Sequence, residues 1–408
     1  MVEKRLLYIV VGALAMLIGS WRMNISIFYR HLMSYYNIGT ITVLTIGFTI
    51  SAFVSIFSSY FLGFVYDRKG ISTVLYIGVI TQLFSSIIVY LMRFYPWSFA
   101  VWLWYIGNGV AGLGFPSLML SINPMIMRIF SRRLDIALAI IQSSSYLALT
   151  LWSPIITKLV NFMDVFTVFL ILSIVSVAPM ILCIKICGDF SNVQKRKQNK
   201  IEYGDSIPKL FILLLIPIFF IALSSTMLLQ FIAQIVTDFY KMFGIEESTA
   251  LQHHTPFAIS VSGVFQTLGA FTWGFIAMRI GALKTLPLLY FFEATTMFTA
   301  IELSKHSLET AIAMLWLRFF AFGGEPVTHM LLIPTLFGQE NIGKLLGMQT
   351  SVVMTSLVIG PVIGGLARDL TGSFITTAYL SALLSLVAFV AALLIVIVQH
   401  LKFYSRLN

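Results

Sequence analysis

Gly63-Phe64-Val65-Tyr66-Asp67-Arg68-Lys69-Gly70 closes one long apolar run and leads straight into the next. A second copy, Gly274-Phe275-Ile276-Ala277-Met278-Arg279-Ile280-Gly281, does the same 211 residues later, close to half of the 408-residue chain. The same short loop, set between apolar runs half a chain apart, predicts two similar halves. Other positions keep the register. Phe130, Gln142, Ser144 and Pro154 recur as Phe337, Gln349, Ser351 and Pro361, each 207 residues on. Ala111, Gly114 and Pro116 recur as Ala321, Gly324 and Pro326 at an offset of 210.

Composition says where such halves live. The chain is 59% hydrophobic and 10% charged, against about 45–50% apolar and about 25% charged in soluble domains. That much apolar side chain needs a lipid bilayer around it. The net charge of +10 does not point to nucleic acid, because the basic residues fall in short gaps between apolar runs and not on one polar face. Cys183 and Cys187, four apart, read as ordinary helix residues and not as a metal or redox pair.

A spanning helix needs about 20 apolar residues. Twelve runs qualify, at about 6–33, 41–66, 71–93, 98–127, 133–158, 163–187, 209–240, 253–277, 283–304, 308–333, 343–368 and 372–401. The first is too long for a signal peptide and ends in no small-residue cleavage site. The fold class predicted is therefore an all-α membrane protein. Its twelve transmembrane helices form two pseudo-symmetric six-helix bundles, residues 1–187 and 209–408, joined by a polar cytoplasmic linker over 188–208. The linker's basic run, Gln194 to Lys200, reads as a topology signal; a grip on anionic lipid is the alternative. Eighteen of the 26 Lys and Arg residues lie on the side of the two termini and six on the other, with Arg22 and Arg318 inside spans. Lys and Arg concentrate in cytoplasmic loops, so both termini are placed in the cytoplasm, in a cell-membrane protein.

Gly63–Gly70 resembles the loop 2–3 signature of the major facilitator superfamily, Gly-x-x-x-Asp-Arg-x-Gly, with Met278 in place of the Asp in the second copy. The resemblance covers all twelve spans. It implies a monomeric carrier with a midplane site between halves that open alternately to each face, and it places spans 1, 4, 7 and 10 around the central cavity. A narrower resemblance is to the oxalate/formate antiporter and monocarboxylate transporter branch. It rests on Ile129-Phe-Ser-Arg-Arg-Leu-Asp-Ile-Ala-Leu-Ala139, Leu336-Phe-Gly-Gln-Glu-Asn-Ile-Gly-Lys-Leu-Leu-Gly347, Gly360-Pro361 with Ala367–Phe374, and Trp21–Phe28. That branch often carries charges in spans 8 and 11. Here span 8 offers Gln266, and span 11 has no Lys or Arg between Lys344 and Arg368.

Charges inside a membrane cost at least about 2.5–3.5 kcal/mol each at mid-depth, so they mark function or a structural ion pair. Arg318 lies about ten residues into span 10, roughly 15 Å deep at 1.5 Å per residue. Its planar fork of donors suits a carboxylate. Glu325, seven residues on, shares its helix face and is the second reading of Arg318, as an ion-pair partner. Asn108 is the matching position 210 residues earlier. Arg22, about 25 Å along span 1 from Arg5, either binds or draws in anions or snorkels outward. Glu325 and Glu293 are proton-coupling candidates; Glu293, on a span the resemblance makes peripheral, reads first as a structural hydrogen-bonding group. His329, His253 and His254 read as interface residues. Gln142, Gln349, Gln266 and Tyr146 are candidate cavity-lining groups, with Gln230 and Gln234 as further membrane amides that often only tie helices together.

Gating candidates follow from the loop signature. Gly63 permits close helix approach and Gly70 a tight turn, while Asp67 can face the positive end of a neighbouring helix. The resemblance makes that neighbour span 11, near Asn341–Gly343, and adds Arg68, Arg132, Arg133, Arg279 and Glu340 as gate contacts. No Gly-rich phosphate loop ending in Lys-Ser/Thr and no His-Glu-x-x-His pattern occurs, so neither enzyme chemistry, cofactor nor metal is expected. The function read from the sequence is secondary active transport of a small organic anion, monocarboxylate-like, by exchange or with a proton. Efflux of a neutral or cationic organic solute and a non-transporting membrane sensor are the alternatives.

Overall fold

The structure, a computed structural model, describes residues 2–38, 42–130, 133–198, 207–250, 254–339 and 341–404. The regular elements in these ranges are helices. They run α1 (Val2–Gly19), a 3-10 turn (Ser20–Asn24), α2 (Ser26–Tyr36), α3 (Thr42–Lys69), α4 (Ile71–Leu91), a second 3-10 turn (Met92–Phe94), α5 (Trp97–Gly114), α6 (Ser117–Ile129), α7 (Leu134–Phe162) and α8 (Val165–Gln198). The second half holds α9 (Lys209–Met242), the single turn α10 (Glu247–Thr249), α11 (Thr255–Ile280), α12 (Ala282–Leu303), α13 (Leu308–Phe337), α14 (Ile342–Thr371) and α15 (Phe374–Tyr404). Arg132, Glu340 and His253, named above as candidates, lie outside the described residues, as does 199–206 of the linker.

Among the described residues, eleven stretches are long and apolar enough to cross a membrane. The twelfth span is α13, 30 residues long, which carries Glu309, Arg318 and Glu325 within its length. Large apolar side chains face outward along these helices: Phe57 and Ile80 are 65% exposed and Trp102 61%, the surface a bilayer would cover.

Two differences from the expected boundaries have physical causes. The polar linker is helical as far as Gln198, because its Gln, Lys and Arg residues are good helix formers. The first span is not one helix over 6–33; it breaks at Ser20–Asn24, just after Gly19-Ser20, the kind of small-residue pair that kinks helices. Span 4 also breaks, at Phe115-Pro116 between α5 and α6, where proline removes a backbone donor. Span 7 bends at Phe231, whose φ of −114° and ψ of 16° are non-helical. Phe231 lies 210 residues after Trp21, so the first span of each half is interrupted at the same register.

The chain forms two compact units, Met1–Gly204 with Gly338–Met354 and Asp205–Phe337 with Thr355–Asn408. The first half of α14 thus groups with the N-terminal bundle. Gly63 explains this: a side chain there would meet the Gly343 carbonyl, so α3 and the start of α14 approach backbone to backbone. In the first unit Trp21, Phe28, Trp104 and Phe169 form an edge-to-face aromatic core. In the second, Ile235, Phe239, Met297, Leu315 and Phe319 fill the equivalent space. Gly70 and Gly281 separate their helix pairs at φ of 82° and 95°, a backbone region that costs glycine nothing.

Candidate functional site

Each unit buries an arginine within a span, Arg22 in the first and Arg318 in the second, and the two are treated differently. In the first unit Arg22 sits on the 3-10 turn and is 7% exposed. The turn is closed by the Ile25 N–H donating to Arg22 O at 3.1 Å. Short 3-10 stretches inside a helix often mark functional hinges. Arg22 Nη2 donates to Ser85 Oγ at 2.8 Å, and Ser85 Oγ donates to Gly107 O at 2.7 Å. The guanidinium carbon lies 5.0 Å from the Phe169 ring centre and 5.5 Å from that of Trp21. Arg22 Nε has no hydrogen-bond partner, and no carboxylate among the described residues forms an ion pair with Arg22.

Arg22 lines a cavity of about 60 Å³ inside this unit, with Ser20, Gln82, Ser145, Met16 and Met180 among its walls. A water needs about 10–15 Å³ on this measure, so the space suits a molecule of about four to six heavy atoms. Ser145 Oγ is buried there without a partner. Gln82 Nε2 donates to Ser176 Oγ at 3.2 Å. Ser145 falls between the sequence candidates Gln142 and Tyr146 and was missed. The signal was the polar run Gln142-Ser-Ser-Ser-Tyr146 inside an apolar helix. Gln142 itself donates to Asn123 Oδ1 at 3.1 Å, and Tyr146 is buried. Asn108 donates to Trp104 O at 2.9 Å within its own helix.

In the second unit Arg318 is fully buried and faces two acids. Its Nη2 is 2.9 Å from Glu293 Oε2, and its Nη1 is 3.9 Å from Glu325 Oε1. The Nη2 hydrogens point at Ser225 Oγ, 3.0 Å away, and Ser224 Oγ, 3.3 Å away. The Glu293 contact is therefore an ion pair without an aligned hydrogen bond, and both Glu293 oxygens lack a hydrogen-bond partner. Ser225 Oγ donates to Glu325 Oε1 at 2.5 Å. One turn below, His329 Nε2 and the Tyr290 hydroxyl are hydrogen bonded at 2.7 Å. Glu293 of α12 thus lies beside Arg318 of α13, on a span for which the sequence favoured a structural hydrogen bond. Gln266 is buried in this unit and Gln349 in the first, each with an unpartnered Oε1.

A third cluster lies at the C-terminal end of α3. Asp67 Oδ1 accepts from the Gly343 N–H at 3.0 Å, and Oδ2 from the Lys344 N–H at 2.6 Å. The carboxylate so caps the positive N-terminus of α14. Arg128 Nη2 completes the contact at 2.6 Å from Oδ1, with both side chains almost fully buried. Arg128 was counted only as a loop cation in the sequence. Its place at the end of span 4, on the same side as Asp67, was the available signal. Arg68 and Arg279 each lie over an aromatic ring four residues earlier, Phe64 at 4.0 Å and Phe275 at 4.4 Å, so the repeat keeps this detail too. Arg133 is exposed, with φ of 56°. Met278 occupies the Asp67 position of the second copy and offers no acceptor.

No family model and no curated protein matches this sequence. Solved structures do match. A bacterial homologue of the iron transporter ferroportin, in an outward-facing state, aligns over 95% of this chain and 99% of its own at a TM-score of 0.76 and 14% identity. The proton:xylose symporter XylE aligns over 95% of each chain at a TM-score of 0.73 and 12% identity. The Escherichia coli fucose:proton symporter FucP aligns over 96% of this chain and 98% of its own, at 0.64 and 11%. The XylE structure is described as one of the major facilitator superfamily. With its twelve helices in two pseudo-symmetric six-helix bundles, this chain has the major facilitator fold.

Proposed function

We propose that this protein is a secondary active transporter of a small organic anion, monocarboxylate-like, working by alternating access. The relatives in fold are described as handling iron, xylose and fucose, so the fold leaves cargo open and the residues must decide it. The observation that carries the reading is Arg22: a buried guanidinium with no carboxylate partner, at a helix break, on the wall of a small cavity. A lone charge in the membrane is expensive, and a bound carboxylate would balance it through the planar donor fork. Ser145 supplies an unpartnered hydroxyl on the same cavity wall. Arg318, the leading anion contact from sequence alone, already faces two acids and is the weaker choice. Gating is assigned to Gly63, Asp67, Gly70 and Arg128 with Gly343, and the proton to Glu293 and Glu325.

Calorimetry on the purified protein with lactate, formate and oxalate, and with lactamide as the neutral counterpart, tests this. An anion held by charge-assisted hydrogen bonds worth about 1.5–3 kcal/mol should bind the wild type and weaken by about 10- to 100-fold in Arg22→Gln. Binding of lactamide as tight as lactate would favour the neutral-solute reading.

A further inference from the structure

We infer that the cavity beside Arg22 selects an anion with a single charge and a short apolar tail, and that Met180 sets the length of tail it takes. The inference rests on the anion reading above and names the part of the ligand that reading leaves open.

Arg22 is the one charged side chain among the described residues that line the cavity. It balances one negative charge. A second carboxylate on the same molecule would be buried there without a counter-ion, which is costly. The groups free to hold the charged head are Arg22 Nε–H and the Ser145 hydroxyl, both buried without a partner. The amide nitrogen of Gln82, on the same wall, already donates to Ser176. The larger buried side chains of the lining are apolar: Met16, Leu118 and Met180 are each at most 8% exposed. A hydrocarbon tail gains by leaving water for such a wall, by about fourfold in affinity for each buried CH₂.

The tail has a limit. The space of about 60 Å³ is full at about four to six heavy atoms. Acetate, propionate, butyrate and oxalate fall within that, and hexanoate exceeds it. Met180, from α8, stands at this limit because of Gly78 on α4. A side chain at 78 would have its Cβ 2.9 Å from the Met180 methyl carbon and in collision with Ser117 Oγ. Glycine leaves that space open, and the tip of Met180 is held close to the α4 backbone at the cavity wall. Methionine is flexible and polarizable and fills irregular gaps, so it closes around a short tail without dictating its shape. Shortening it enlarges the cavity where the tail would end.

Titration calorimetry on the purified full-length protein tests this, with the sodium salts of acetate, propionate, butyrate, hexanoate and oxalate. Wild-type affinity should rise about fourfold per CH₂ from acetate to butyrate and gain nothing further at hexanoate. Oxalate, close to butyrate in size, should bind on the order of 100-fold more weakly or worse. Met180→Ala should move the optimum from butyrate to hexanoate. The ratio of hexanoate to acetate affinity is read within one protein, so a change in folded fraction cancels. Met180→Val, closer in bulk, gives the same reading should Met180→Ala fail to fold, and the wild-type series needs no variant. Flat affinity from acetate to butyrate, or oxalate bound as tightly as butyrate, overturns the selection; if binding is still lost in Arg22→Gln, the anion reading stands without it. An unchanged ratio in the Met180 variants removes Met180 as the residue that sets the length. No binding of any acid, or binding indifferent to Arg22→Gln, overturns the anion reading and this inference with it.

Discussion

Ser85 and Glu293 stand 208 residues apart, within the 207–211 offsets at which the two halves repeat, and each faces the buried arginine of its own unit. Ser85 accepts from Arg22 at 2.8 Å; Glu293 lies 2.9 Å from Arg318. The arginines come from different helices, α13 in one case and the turn after α1 in the other. The repeat has therefore kept a polar position on its third helix, neutral in the first half and acidic in the second. A neutral partner leaves Arg22 open to a ligand, while an acidic one occupies Arg318.

Arg318 should then be the more important of the two for stability. Removing one partner of a buried ion pair costs about 3–5 kcal/mol, because the other charge is stranded. Arg318→Ala is expected to lower the melting temperature in detergent sharply, and Arg318→Met with Glu293→Gln to recover much of it. Equal melting of Arg318→Ala and wild type would show that the acids are not held by it.

Arg22→Lys keeps the charge and loses the planar fork. Lactate affinity is expected to fall between those of wild type and Arg22→Gln, by about tenfold for one lost charge-assisted bond. Titration calorimetry on the three proteins gives the order.

Ser145→Val replaces the unpartnered hydroxyl with a bulkier apolar group on the cavity wall. It should weaken lactate binding by about tenfold, the worth of one hydrogen bond to a charged group, with the melting temperature little changed. A binding constant equal to wild type would take Ser145 out of the site.

At the α3–α14 contact, Asp67→Ala removes the cap of α14 and the ion pair with Arg128. The pair should show coupling of about 0.5–3 kcal/mol in a double-mutant cycle with Arg128→Ala, read from thermal or chemical unfolding. Gly63→Val should be worse than Asp67→Ala, since its side chain meets the Gly343 backbone. Restoring glycine at that position is the only remedy, because backbone cannot move aside as a side chain can.

The sequence showed the twelve spans, the repeat and the short list of buried charges, because each is written in composition and spacing. The Gly19-Ser20 pair was the one local signal for the break at Ser20–Asn24, but it does not fix how Trp21 and Arg22 pack against Ser85 and Phe169, contacts 63 or more residues away. Nor could spacing decide between Arg22 and Arg318. Glu325 shares a helix with Arg318 and was visible as a partner; Glu293 sits on another helix, and only tertiary packing brings it within 2.9 Å. Ser145 was hidden among three neighbouring serines on α7, of which the fold turns one into the cavity.

Uptake of radiolabelled lactate by proteoliposomes, wild type against Arg22→Gln with matched melting temperatures, bears most directly on Arg22 as the anion contact of a carrier. Saturable uptake by the wild type, competed by formate and reduced to background in Arg22→Gln, is expected. Saturable uptake unchanged in Arg22→Gln, or a folded wild type that carries none of the acids, would contradict it.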